Sequence, residues 1–266
     1  MAKGKPKILV LAGFGLNCER ETAIAFNEAG GDAKIVHFYQ LQTRKEKMEE
    51  YSAFVIPGGW SFGDDIAGGK VLANRIRYRI WDQMREFVQA EKPIVGICNG
   101  FQMLVKLGIL PNLGGDGQQE VTLVGNASGK FEDRWITLAP EKKSKCAYAK
   151  GIDFIRAPVR HGEGRFIAKD GKLLEKLEEE GLVVFRYSHW DGERKENESV
   201  GYPKNPNGAH KDIAGICDVS GRIFGMMPHP ECSIFEWQHP KVRKGEAHTK
   251  GSRKFFENIV REAAKD

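Results

Sequence analysis

The chain has 266 residues, 41% hydrophobic and 29% charged, with a formal net charge of +5, a balance that suits a soluble globular protein with one large core or two small ones. Its basic residues are spread out rather than gathered in a stripe, so nucleic-acid binding is not expected, and no apolar run reaches the roughly 20 residues that span a bilayer. The five cysteines, Cys18, Cys98, Cys146, Cys217 and Cys232, are odd in number and lack Cys-x-x-Cys spacing, which argues against a disulfide framework and a structural zinc site. The start, Met-Ala-Lys-Gly-Lys-Pro-Lys, leads straight into a short strand-like run and does not read as a signal peptide. Asn126-Ala-Ser and Asn197-Glu-Ser match the glycosylation pattern, but without secretion the match carries no meaning.

Residues 7–12 read as a first strand, followed by the turn Gly13-Phe14-Gly15-Leu16-Asn17. Asn17 can cap a helix reaching about Ala29, with Gly30-Gly31 stopping it. Gly13-x-Gly15 invites a dinucleotide-binding reading, but Cys18 stands where the third glycine belongs, so a tight strand-to-helix turn is the better account. Residues 33–38 and 51–56 read as the next two strands. The loop at 57–69 carries five glycines with Trp60, Phe62, Asp64 and Asp65 among them. Such a loop at a strand's carboxyl end can bring bare backbone N–H groups to a ligand. One amphipathic helix is expected next, with Leu72, Ile76, Ile80, Met84, Phe87 and Val88 on its buried face.

Pro93-Ile94-Val95-Gly96-Ile97-Cys98-Asn99-Gly100-Phe101-Gln102 is the stretch around which the rest is organised. Its apolar start predicts a buried parallel strand. Phe101, Met103, Leu104 and Val105 can form the buried face of a helix ending at Gly108. Gly-x-Cys-x-Gly between strand and helix matches the nucleophile elbow, in which flanking glycines admit a strained turn and the nucleophile stands at its apex. The sulfur then lies at the carboxyl end of the sheet and at a helix N-terminus, which favours thiolate. The plainer alternative is a small apolar cysteine buried in a joint; the flanking glycines favour the elbow.

Beyond Gly108, short strands dominate: residues 121–124, 135–138, 154–155 and 183–185, with helix only at 172–180. This half is expected to be more antiparallel, as a second layer or an excursion. His161-Gly162-Glu163-Gly164-Arg165-Phe166 reads as a polar turn, residues 191–211 as a surface loop, and residues 213–216 with 222–227 as a hairpin around Ser220-Gly221. The second hairpin strand runs into Pro228-His229-Pro230-Glu231, where two prolines fix the backbone around one histidine. In extended chain His229 and Glu231 can point the same way, and a carboxylate beside an imidazole orients it and raises its basicity. Taken alone, a proline-bounded corner with a chance His-Glu pair would be the better reading. Residues 252–265 read as a closing helix. Strands alternating with helices through the first half predict an α/β, doubly wound, mostly parallel sheet, with a smaller antiparallel excursion in the C-terminal half.

Together these features make an activated-nucleophile constellation for acyl transfer. Cys98 is the nucleophile, His229 the base and later the acid, and Glu231 the orienting carboxylate. The N–H of Asn99 and one from Gly58 or Gly59 would bind the oxyanion; the sequence leaves open which glycine serves. Gly96-Ile-Cys98-Asn-Gly100-Phe-Gln102 with Pro228-His229-Pro230-Glu231 resembles the class I (triad) glutamine amidotransferases. More narrowly, Pro57-Gly-Gly-Trp-Ser-Phe-Gly-Asp64, Asn126-Ala-Ser-Gly-Lys-Phe131, His161-Gly-Glu-Gly-Arg165, Asn205-Pro-Asn-Gly208 and Gly225-Met-Met-Pro-His-Pro-Glu231 are similar to the glutaminase components of phosphoribosylformylglycinamidine synthases, from purine biosynthesis.

The resemblance implies a flavodoxin-like single domain over 1–266. It implies hydrolysis of L-glutamine through a Cys98 thioester, with ammonia passed to a synthetase subunit that makes formylglycinamidine ribonucleotide from formylglycinamide ribonucleotide. Gln102, His161 and Glu163 would bind substrate glutamine, although His161 could equally be a structural hydrogen-bonding residue. No cofactor or metal is expected on this chain. It lacks a Gly-x-x-x-x-Gly-Lys-[Ser/Thr] loop, so ATP and magnesium belong with the synthetase partner. A small accessory subunit, a cytoplasmic location, and no nucleic-acid or membrane partner complete the expectation. Two stretches depart from the family pattern: residues 188–198 are unusually charged, and 233–251 are long and rich in His and Lys. Another biosynthetic amidotransferase would share the triad without the 161–165 and 205–208 segments. A PfpI-like hydrolase would typically have His where Asn99 stands, and a non-catalytic subunit would be expected to have lost a triad member.

Overall fold

Runs that are apolar on both faces can be buried only inside a sheet covered on both sides. Ala53–Ile56 and Ile94–Ile97 are of this kind, each buried throughout. A computed structural model of the protein describes residues 4–193 and 199–265. Its strands are β1 (Lys7–Ala12), β2 (Asp32–His37), β3 (Ala53–Ile56), β4 (Ile94–Ile97), β5 (Val121–Val124), β6 (Glu132–Pro140), β7 (Ile155–His161), β8 (Arg165–Ala168), β9 (Val183–Ser188), β10 (Ile213–Cys217) and β11 (Ile223–Met226). Its helices are α1 (Glu19–Glu28), α2 (Phe38–Gln42), α3 (Lys70–Arg79), α4 (Trp81–Gln89), α5 (Asn99–Lys106), α6 (Gly171–Glu179) and α7 (Lys250–Ala263).

Nine strands form one sheet in the order β2-β1-β3-β4-β11-β10-β9-β6-β7, while β5 and β8 make a separate antiparallel ribbon. From β2 to β11 neighbouring strands are parallel; from β11 onward they are antiparallel. The antiparallel half is therefore no second layer. It continues the same sheet, and only the β5-β8 ribbon is an excursion. Register pairs Ile56 with Gly96 and Ile97 with Met226, so the carboxyl ends of β3, β4 and β11 meet at one edge. Phe26, Phe54, Phe101, Phe185, Phe224, Phe255 and Phe256 are fully buried. Burying each such side chain is worth roughly 1.5–3 kcal/mol, and the Phe26 and Phe256 rings meet edge to face at 5.1 Å, tying α1 to α7.

Several local expectations are revised. The single helix expected over Leu72 to Val88 is two, because Ile80 leaves the helical conformation between them, with φ −138° and ψ 19°. The apolar periodicity runs through the break undisturbed, since α3 packs on α5 while α4 packs on the 3-10 turn Met48–Glu50. The residue capping α1 is Cys18, with no side-chain bond, rather than Asn17. His161 ends β7 and Arg165 starts β8, so the polar turn is only residues 162–164. Of the stretch 191–211, residues 194–198, with part of the charged segment 188–198, lie outside the described residues. Asn205 and Asn207 are buried rather than on the surface. The Asn207 amide donates to the Gly164 carbonyl at 2.8 Å and the Tyr187 hydroxyl at 2.9 Å. The long segment 233–251 is a series of short 3-10 turns. Its His239 meets Trp135 edge to face at 4.4 Å, and Arg156 lies 3.8 Å over Trp190 while donating to the Glu246 carbonyl.

Candidate active site

The joint between β4 and α5 is the strained turn that the glycine pattern predicts. Cys98 has φ 52° and ψ −108°, a conformation that residues with a Cβ rarely hold. Its N–H donates to the Met226 carbonyl at 2.7 Å, which fixes the turn to β11. At Gly100 a Cβ would stand 2.0 Å from the Ile56 carbonyl oxygen; only glycine lets α5 begin this close to β3. Cys98 is thus held where β4 ends, 4% exposed.

Because β11 lies beside β4 in parallel, its continuation delivers Pro228 to Glu231 to the same edge. The His229 N–H donates to the Pro158 carbonyl at 2.9 Å. The imidazole Nδ1 lies 2.6 Å from Glu231 Oε1, with both side chains almost wholly buried. With Nδ1–H donating to Glu231, Nε2 is the nitrogen left for Cys98; it is buried and has no hydrogen-bond partner of its own among the described residues. Burial works against charge on His229, but Glu231, then the thiols of Cys98 and Cys18, outweigh it and hold the imidazole well above its ordinary pKa. An imidazole held basic beside the Cys98 thiol is placed to take up its proton. A Cβ at Gly58 would come within 2.5 Å of His229 Cε1, so the base rests directly on the glycine-rich loop.

That loop is fixed from several sides. The Gly58 carbonyl accepts from the N–H groups of Asn17 at 3.1 Å and Cys18 at 3.2 Å. Trp60 N–H donates to the Gly15 carbonyl at 2.8 Å, and Phe62 N–H to the Phe14 carbonyl at 2.8 Å. Gly59 faces Leu16 in the position whose own groups are not used by this pairing. Within the loop, Phe62, Gly63 and Asp64 take φ of 52°, 66° and 51° in succession. Two non-glycine residues in this region cost roughly 1–2 kcal/mol each, so the surroundings must hold them.

Asn99, Gln102 and Glu163 meet in one hydrogen-bonded network, with Asn99 and Gln102 buried. The Asn99 side chain, which is wholly buried, accepts from Ser61 N–H at 3.1 Å and donates to Asp64 Oδ1 at 3.0 Å and Gln102 Oε1 at 2.7 Å. Gln102 Nε2 donates to the Glu163 carbonyl at 2.6 Å, and Glu163 Oε2 accepts from Gly68 N–H at 2.9 Å. Gln102 and Glu163 therefore sit together across the loop. His161 stands apart from them. Its Nδ1 lies 3.1 Å from Asn126 Oδ1, and its ring packs where a Cβ on Gly164 would fall. Burial, with the charge of His229 adding to it, pushes its pKa down to about 3, so the ring is neutral.

Residues missed from the sequence are Cys18, Asn126 and Asp64. Cys18 Sγ lies 3.9 Å from His229 Nδ1. Cys18, His229 and Glu231 bring a thiol, a ring nitrogen and a carboxylate within 4.8 Å of one another, a set able to hold a metal ion. The short His229–Glu231 bond occupies the atoms an ion would need, which fits the set to proton transfer. Asn126 N–H and the Asn126 amide donate to the Gly162 and His161 carbonyls, bracing the 162–164 turn.

Comparison with known proteins adds to this geometry. Residues 5–261 match the family described as the CobB/CobQ-like glutamine amidotransferase domain. The chain is 44% identical over 244 residues to phosphoribosylformylglycinamidine synthase subunit PurQ of Methanococcus maripaludis, covering 91% of this chain and 88% of that one. It is 42% identical over 258 residues to the subunit of the same name from Dehalococcoides mccartyi, covering 97% of each. Among solved structures it is similar to PurLQS from Thermotoga maritima, with a TM-score of 0.71 and 28% identity over 97% of this chain and 98% of that one. A glutamine amidotransferase from the same organism shares the fold, with a TM-score of 0.58 and 16% identity over 98% and 99% of the two chains.

Proposed function

The chain belongs to the CobB/CobQ-like glutamine amidotransferase family, and from that premise we infer that it is the glutaminase subunit of a phosphoribosylformylglycinamidine synthase, hydrolysing L-glutamine for purine biosynthesis. The observation that carries the catalytic reading is the buried 2.6 Å His229–Glu231 pair delivered by β11 beside the strained Cys98 turn of β4. The Cys98 thiolate adds to the side-chain amide carbon, and the carbonyl electron pair moves onto oxygen. The N–H of Asn99 and that of Gly59 receive this oxyanion; Gly59 is favoured because the Gly58 carbonyl is tied to the N–H groups of Asn17 and Cys18 and the N–H of the same trans peptide points the opposite way. The His229 imidazolium protonates the departing nitrogen, ammonia leaves, and a glutamyl thioester remains. Water, deprotonated by His229, then releases glutamate and restores the thiol. Glu231 holds the imidazole in the required tautomer. Gln102 and Glu163 are assigned to substrate glutamine, and His161 to bracing the turn that presents Glu163.

Ammonia goes to a synthetase partner, as the match to PurLQS supports. ATP and magnesium are placed in that partner, with formylglycinamide ribonucleotide as the acceptor and a small accessory subunit completing the complex. A single domain over 1–266 in the cytoplasm fits a soluble biosynthetic step, and no helix among the described residues is long and apolar enough to cross a membrane. The test is glutamate release by the purified chain together with its candidate synthetase. Cys98→Ala should abolish release while leaving the circular dichroism unchanged; near-wild-type turnover in that variant would overturn the assignment.

A further inference from the structure

We propose that the side chain of Asn99 is the positioning residue that joins the two halves of the oxyanion hole, an inference that rests on the glutaminase reading above. Asn99 contributes its backbone N–H to one half simply by following Cys98. Its side chain reaches the other half. One amide brackets the left-handed run Phe62-Gly63-Asp64, its oxygen taking Ser61 N–H at 3.1 Å before the run and its nitrogen giving to Asp64 Oδ1 at 3.0 Å at the end of it. Asp64 Oδ1 also accepts from Gly69 N–H at 3.1 Å, which closes the loop's return. The second amide hydrogen goes to Gln102 Oε1 at 2.7 Å. The partners fix which way the amide faces, since an N–H needs the oxygen and a carboxylate needs the nitrogen. A buried side chain with both hydrogens used and its oxygen engaged is a rigid connector between the nucleophile helix, the strained loop bearing Gly58 and Gly59, and Gln102. The Asn99 side chain itself carries no charge, thiol or hydroxyl, so its effect on the reaction is geometric: it keeps the loop's N–H at the distance where the tetrahedral oxygen forms.

The experiment separates this role from simple support of the fold. Glutamine hydrolysis forms an oxyanion, whereas displacement of iodide from iodoacetamide by the Cys98 thiolate forms none. In the complex with synthetase, Asn99→Leu keeps the branched side-chain shape and removes all three bonds. It should lower kcat for glutamine by about 30-fold or more, given the 100-fold scale of one donor. Alkylation of Cys98 should stay within about threefold of wild type, because it needs no oxyanion donor. Asp64→Ala should reproduce the loss, and Asp64→Asn, which retains an acceptor oxygen, should restore most of it. Equal slowing of hydrolysis and alkylation, or wild-type hydrolysis, in Asn99→Leu would overturn the proposal. Should Asn99→Leu fail to fold, the Asp64 pair decides, with equal kcat in Asp64→Ala and Asp64→Asn counting against it. Cys98→Ala in the same assay reports separately on the glutaminase reading: full hydrolysis there removes that reading, whatever Asn99 does.

Discussion

His161 and His229 lie in one region and are driven in opposite directions by what surrounds them. Burial keeps His161 neutral with a pKa of about 3, whereas Glu231 raises His229 against burial. Their effects on stability also oppose each other. Unfolding frees His161 to take a proton at any pH below about 6.5, so the folded state loses stability as pH falls from there toward 3. The contribution of His229 is fully present below that ordinary value and declines only as pH rises through its elevated one. Between pH 7 and 5, above the range of most carboxylates, His161 should therefore steepen the loss of stability, at a limit of about 1.4 kcal/mol per pH unit. His161→Gln should flatten that limb in a Tm-against-pH series. An unchanged slope would mean that the buried ring takes up a proton without penalty. Burial also raises the thiols of Cys18, Cys146 and Cys232, the last to about 12, which sets them apart as poor nucleophiles.

Two glycines at the joints between elements separate the needs of folding from those of chemistry. A methyl at Gly100 would meet main chain, the Ile56 oxygen at 2.0 Å, and β3 cannot move without disturbing the sheet. A methyl at Gly58 would meet a side chain, the His229 ring at 2.5 Å, with Cys18 Sγ at 3.3 Å. Gly100→Ala should destabilise the protein by about 3 kcal/mol or more in urea melts, as overpacking against fixed backbone does. Gly58→Ala should remain folded and lose about 100-fold or more in kcat, because the displaced imidazole can neither activate the thiol nor protonate the leaving nitrogen. A reversal of these two outcomes would show that the elbow yields more easily than the loop. The elements that carry these joints were legible where local chemistry sets them. Gly96-x-Cys98-x-Gly100 announces itself through turn geometry within a few residues, whereas Pro228-His229-Pro230-Glu231 took on its meaning only beside that elbow and the family resemblance. The break at Ile80 was not legible, because the apolar stripe continues through it and only the two packing partners differ. Nor were Cys18, Asn126 and the burial of Asn205 and Asn207, whose roles depend on groups far away in sequence. Asn17-Cys18 after a glycine turn was the available signal for Cys18, but in the sequence that position stands out only by lacking the third glycine of a dinucleotide-binding turn.

At the scale of the whole molecule, a free glutaminase would waste glutamine and lose ammonia to solvent, so the synthetase that holds the acceptor should control it. The loop 57–69 is where control can act. Turning the Gly58–Gly59 peptide over would withdraw an oxyanion donor, a loss of roughly 100-fold or more in rate. The Gly58 carbonyl is held by two N–H groups at the start of α1, so this turn must release Asn17 and Cys18 together and becomes a switch between two states. Glutamine kcat/KM should rise well over tenfold when synthetase, nucleotide and acceptor are all present, relative to the chain alone. Full activity of the isolated chain, with no response to the synthetase, would contradict the switch. The strand order has a further consequence, for the order of events during synthesis. β4 and β11 are neighbours in the sheet, yet about 130 residues separate Cys98 from His229. The whole antiparallel half is one long detour between adjacent strands. At ~5–20 residues per second the ribosome takes roughly 7 to 25 seconds to cross that interval. The nucleophile is thus made long before its base, and a nascent chain cannot consume glutamine until the last parallel strand has closed against β4.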